Sequence, residues 1–222
     1  MAAEAIISYD GTATDDDALA LGRMLAPALA LALAYVRHAP EHDEQRETRA
    51  RDDAERRLEQ GAERLGDPQI PRHVVFSGST GAGLEELAQA EGASIVVFGS
   101  DYRTPPGHAE PPSSAQRLLE IGAIGIAVAA AGLRDEGETK IASIAVPPVQ
   151  EDGAAQETAE RLAAKLGVPV LAADGASADL IVVGSQPGAP AGRVALSGSA
   201  RSLLDASRGS VLVVPSGKPL QL

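Results

Sequence analysis

Two glycine-rich stretches hold the residues whose spacing suits chemistry. The later one carries Gly184, Gly188 and Gly192, then Arg193, and reaches Gly198-Ser199. Glycine lets a backbone approach an anion and reach left-handed conformations. N–H groups at the start of a following helix can then face a phosphate. The chemistry suggested is phosphate or nucleotide binding. Arg193 either adds a charge-assisted contact or is a surface residue. The same spacing also fits a glycine-punctuated turn with Ser199 as a plain N-cap.

The earlier stretch is a copy in one ungapped register. Gly99 pairs with Gly184, 85 residues on, and the same offset pairs Gly107 with Gly192 and Ser114 with Ser199. It also pairs Ser100 with Ser185, Pro105 with Pro190, Ala115 with Ala200, and Leu118-Leu119 with Leu203-Leu204. Such self-similarity marks an internal repeat.

These loops must be held by flanking elements. Apolar runs rich in Val and Ile predict strands near Ile6–Tyr9, Leu29–Val36, His73–Ser77, Ser94–Gly99 and Ile124–Ala130. A second round predicts strands near Ile141–Val146, Val168–Ala172, Leu180–Gly184 and Ser210–Val214. Helices are predicted near Asp15–Leu25, Glu47–Leu65, Gly83–Glu91, Ser114–Glu120, Ala154–Leu166 and Ser199–Ala206. Near-continuous apolar strands point to parallel sheet covered on both faces, and strand–helix alternation to an α/β fold. The polar stretch Leu133–Thr139 reads as a linker. The second round is shorter: a strand and its crossover helix are missing between Val170 and Ala178.

On these motifs the chain resembles the universal stress protein family in a tandem form. That family's pattern is a strand, Gly-x2-Gly-x9-Gly-Ser/Thr, a helix and a final apolar strand. Gly188, nine residues, then Gly198-Ser199 fits its second part; Gly184 stands one residue too far from Gly188. In the first half Arg103 stands where Gly188 does, and Ser113-Ser114 where Gly198-Ser199 does. The family places an Asp-Gly-Ser segment after its first strand, with the Asp meeting the nucleoside; Asp10-Gly11-Thr12 matches it closely. The second half has Val146-Pro147-Pro148 there, with no acid.

The resemblance implies Rossmann-like, doubly wound parallel sheets in two domains, 1–133 and a shortened 140–222, with 134–139 as linker. It implies ATP or a related adenine nucleotide as ligand, with Mg accompanying it. Asp10, Gly11, Thr12, Gly99, Gly107 and Ser114 would form an altered site, and Gly184, Gly188, Gly192, Gly198 and Ser199 would hold phosphates. It further implies an intramolecular pseudo-dimer and a homo-oligomer, in a binder and responder rather than an enzyme. A slow ATPase, a scaffold that binds no nucleotide, and an electron-transfer-flavoprotein-like subunit are the other readings. The tandem offset argues against the last.

Composition narrows the partners. The net charge is −12 and aromatics are 2% of 222 residues. Such a surface repels phosphate backbones and anionic lipid and lacks stacking platforms, so neither nucleic acid nor membrane is expected. The chain has no cysteine, which removes disulfides and thiolate chemistry and is compatible with the cytoplasm. No signal peptide is read at the N-terminus, and the longest apolar run is too short for a membrane span.

Weaker signals have plain explanations. Asp15-Asp16-Asp17 suggests a metal site less than acids at a helix N-terminus. The mixed charges from Glu41 to Arg64 suit a solvated helix. Residues 77–83 lack the ending of a Walker loop, and Ser79 or Thr80 reads as a helix cap. His38 and His42 read as loop histidines, with Pro40 between them. No hydrolase elbow or zinc-protease motif is found.

Overall fold

The fold was obtained as a computed structural model, which describes residues 3–38, 43–137, 140–147, 153–172, 177–186, 188–206 and 208–222. His42, Pro148 and the last two residues of the polar stretch lie outside them.

The first round is β1 (Ala5–Ser8), α1 (Ala13–Leu25), β2 (Leu31–Arg37), α2 (Glu44–Leu65), β3 (Arg72–Phe76), α3 (Thr80–Glu91), β4 (Ile95–Phe98), α4 (Ser113–Ile121) and β5 (Gly125–Val128). The second is β6 (Ile144–Val146), α5 (Gly153–Leu166), β7 (Val170–Ala172), β8 (Ser177–Gly184), α6 (Gly198–Ala206) and β9 (Arg208–Val214). Local chemistry sets several boundaries. The Asp43 carboxylate accepts the Gln45 and Arg46 N–H groups at 3.0 Å and opens α2 earlier than apolar periodicity shows. Ser79 Oγ accepts the Ala82 N–H and starts α3 at Thr80. The Asp179 carboxylate takes the Ala142 and Ser143 N–H groups at 2.9 Å, so β6 begins at Ile144 rather than Ile141.

Among the described residues the strands form one nine-stranded sheet in the order β3-β2-β1-β4-β5-β9-β8-β6-β7. Pairing is parallel inside each round. The rounds meet in a single antiparallel pair, β5 against β9, with Ala127 opposite Leu212. The parallel α/β order expected from sequence therefore holds within each round, while the sheet is continuous and mixed. β7 ends it where the first round carries a further strand, β3, outside β2, and Leu171 on β7 stays 42% exposed.

Both sheet faces are buried. Ile7, Ile95, Val97, Leu180 and Leu212 point into one core under α1, α2 and α5. Ile6, Val96, Phe98, Val183 and Val213 point into the other under α3, α4 and α6. Burying each such side chain contributes about 1.5–3 kcal/mol, and both cores run through both rounds.

The repeat offset survives in the hydrogen bonds. Ser100 Oγ donates to the Ala129 carbonyl (2.6 Å) and accepts the Glu110 N–H (3.2 Å). Ser185 Oγ donates to the Val214 carbonyl and accepts the Ala195 N–H, both at 3.1 Å. Each buried hydroxyl staples its glycine loop to the next strand. Ser185→Ala orphans these groups and is expected to cost about 2 kcal/mol, read by urea denaturation.

The polar stretch carries local structure at its start. Leu133–Glu136 form a 3-10 turn. It is pinned by buried Asp17, whose carboxylate accepts the Gly132 N–H (3.1 Å), the Arg134 N–H (2.9 Å) and the Arg134 guanidinium (2.8 Å).

Candidate functional site

The chain leaves β1 toward β2 and β3 on one side, then returns to β4 on the other. Loops leaving neighbouring strands in opposite directions open a crevice at their carboxyl ends, where ligands of open α/β sheets bind. A cavity of about 350 Å³ lies there. Ala34, Tyr35, Val36 and Phe98 give it an apolar wall. Asp10, Thr12, Thr14, Asp15, Thr80 and Ser114 give it a polar rim, with His38 and Pro112 at its edges.

The loop after β1 is built around two carboxylates. Asp15 Oδ2 accepts the Asp10 N–H at 2.8 Å and the Thr12 N–H at 3.1 Å. Asp10 Oδ1 also accepts the Thr12 N–H at 3.0 Å. Gly11 makes the turn between them at φ +89°, a conformation that favours glycine. Arg57 on α2 donates to the Asp10 carbonyl (3.0 Å) and lies over the Tyr35 ring at 5.7 Å. His38, one residue past β2, has Nδ1 3.3 Å from the Ser77 carbonyl and Nε2 3.3 Å from the Thr80 hydroxyl.

Burial first, then the hydrogen bond and charge of Asp10, push the Asp15 carboxyl up to about 7. Burial likewise raises Tyr9, helped by Asp16 and Asp15 and opposed by Arg64. Asp15's folded value lies above its ordinary 3.8, so between the two the folded chain holds a proton that the unfolded chain has released. Stability therefore falls as pH rises through that interval. Asp15→Asn keeps an acceptor oxygen and is expected to flatten this segment of the pH–stability curve, measured by thermal unfolding.

Of the residues singled out in the first half, Asp10, Thr12, Gly99 and Ser114 line this one crevice, with Gly11 in the same loop. Gly107 is elsewhere: its N–H donates to the Ala131 carbonyl (2.8 Å) and its carbonyl accepts the Gly209 N–H (2.9 Å). In the second half Gly184 ends β8 opposite Val214. Gly188 lies in open space at φ +81°. The Gly192 N–H donates to the Ser216 carbonyl at 2.7 Å, and the Arg193 carbonyl accepts the Ser216 N–H at 2.8 Å. Gly198 and Ser199 are the first two residues of α6. The cap is Ser197, whose Oγ accepts the Ala200 N–H at 3.1 Å. Residues 148–152 and 173–176, after β6 and β7, lie outside the described residues.

The crevice also takes in Asp15, Tyr35, Phe98 and Thr80, which the glycine and Asp-Gly-Thr motifs do not mark. Phe98 ends β4, Tyr35 lies two residues before the end of β2, and Asp15 and Thr80 stand in the first turns of α1 and α3. Among the described residues no group of three or more His, Asp or Glu side chains could hold a metal ion. Among the described residues no helix is long and apolar enough to cross a membrane.

No family model and no curated protein matches the chain. Solved structures do. A universal stress protein from Archaeoglobus fulgidus DSM 4304 superposes with a TM-score of 0.68 at 12% identity, covering 96% of this chain and 98% of that one. The chain has the universal stress protein fold. A protein from Pseudomonas aeruginosa UCBPP-PA14, provisionally assigned as a universal stress protein, matches at TM-score 0.60 and 14% identity over 97% of this chain and 94% of its own. A universal stress protein solved with cAMP overlaps 43% of this chain and 75% of its own at 18% identity and TM-score 0.33, a likeness that bears on no ligand here. The full-length superpositions cover both rounds of this universal stress fold, including the shortened one.

Proposed function

We propose that the chain is a universal stress protein of the cytoplasm that binds an adenine nucleotide, with residues 1–133 and 140–222 as its two paired domains. The observation that carries the reading is the crevice between β1 and β4, where Asp10, Thr12, Gly99 and Ser114 converge. Its size stands at the low end of the roughly 300–1,000 Å³ of small-molecule sites, which suits a single nucleoside. An apolar wall for a base beside hydroxyls and a carboxylate for a ribose is the division of labour such a ligand needs. Mg enters only with a nucleotide, since no cluster of protein carboxylates among the described residues is set to hold it.

Calorimetric titration with adenosine and with Mg-ATP tests this. Micromolar adenosine binding, weakened at least about tenfold by Asp10→Ala through loss of a charged hydrogen-bond partner, is the expected result. No heat with either ligand favours a paired scaffold acting through protein partners. That second reading draws support from Gly107 and Gly192, whose N–H groups are already taken by backbone carbonyls.

A further inference from the structure

The crevice rim is doubly acidic, and its surroundings leave little to offset a phosphate. Arg57 reaches the backbone carbonyl of Asp10. Arg64 is taken up by Asp16 at 2.7 Å. Arg134 donates to Asp17 and to the Ala13 carbonyl. From β2, His38 sits between the Ser77 carbonyl and the Thr80 hydroxyl. Tyr9, under α2, adds no positive charge. The chain enters α4 through Pro111-Pro112, residues with no N–H to offer an anion, and Pro112 itself lines the crevice. A neutral ligand meets none of these obstacles.

We infer that the crevice accepts a neutral nucleoside as it stands, and accepts an anionic nucleotide only together with a proton bound by the Asp10–Asp15 pair. This rests on the nucleoside reading above and adds to it a specificity and a pH response. The geometry supplies the device. The two carboxyl groups share the Thr12 N–H as donor, so a proton placed between them replaces one of two facing negative charges with a hydrogen bond. Like charges at that range cannot both ionise freely. The burial and Asp10 contact that raise Asp15 place this proton uptake near neutral pH.

The test compares adenosine with adenosine 5′-methyl phosphate, whose single charge does not titrate in the range used. Between about pH 6 and about pH 8 the diester is expected to lose about tenfold in affinity, while adenosine changes little. Binding heats of the diester at neutral pH should vary with the ionisation enthalpy of the buffer, reporting proton uptake; those of adenosine should not. The pH response should persist in His38→Gln and vanish in Asp15→Asn, which should bind the diester at the higher pH as wild type does at the lower. Adenosine and diester binding with the same pH profile and no proton uptake would overturn the inference and leave the nucleoside reading standing. Failure of both ligands to bind would remove both. A carboxyl carbon titration of the free wild-type protein reads the pair without any variant: one carboxyl should titrate near neutral, and both titrating in the ordinary acidic range would contradict the inference.

Discussion

Gly99→Ala is expected to destabilise the chain by about 3 kcal/mol, the upper range for overpacking a closed site. Gly99 follows β4, where the chain passes the first turn of α1. A Cβ there would stand 1.9 Å from the Thr14 carbonyl oxygen and 2.6 Å from its carbon. Both atoms are backbone, so no rotamer change relieves the clash; β4 and α1 must separate. The crevice lies between those elements, so nucleoside affinity should fall with stability. Gly198→Ala is the control. Its Cβ would meet nothing within 4 Å, and the change is expected to fall within about 0.5 kcal/mol. Urea denaturation of the two variants measures both. Equal stability would mean that β4 does not approach α1 in this way.

Asp17→Ala is expected to cost about 3 kcal/mol, from lost bonds to a charged acceptor. Asp17 is 1% exposed and holds three donors of the 3-10 turn that leaves the first round. Arg134 is 34% exposed at its side chain and regains water, so the loss falls mainly on the Gly132 and Arg134 N–H groups. Amide exchange at residues 132–136 should speed up ahead of that in β5, because the turn is released before the sheet opens. Unchanged exchange there would show that Asp17 does not hold the segment.

Much of this architecture was legible because parallel strands covered on both faces are apolar along their length. Ile95–Phe98 and Val211–Val214 need no partner information to be read as strands. Which strands pair is a different matter. Nothing local in Ile126 or Val213 says that β5 and β9 run antiparallel and fuse the two rounds into one sheet. The polar stretch after Gly132 looks like a tether because its anchor, Asp17, is 115 residues away from the first donor it holds.

The site divides similarly. Asp10 and Thr12 follow a strand, and a short local motif marks them as candidates that line the crevice. Asp15 was legible as an acid at a helix start, which it is, but not as the partner of Asp10 across a crevice. The loop glycines show what spacing leaves out. Gly107 and Gly192 have the φ values, +82° and +75°, that favour glycine. Their N–H groups, however, close the loop onto Ala131 and Ser216. Spacing records the need for a left-handed turn, not what the freed N–H then meets.

In the proposed site a nucleoside enters between β1 and β4. Amide resonances of labelled protein followed during an adenosine titration test it most directly. Saturable shifts are expected at Asp10, Thr12, Gly99 and Ser114, with Gly188, Gly192 and Gly198 unmoved. Shifts confined to the second set, with Asp10 and Gly99 silent at saturation, would contradict it.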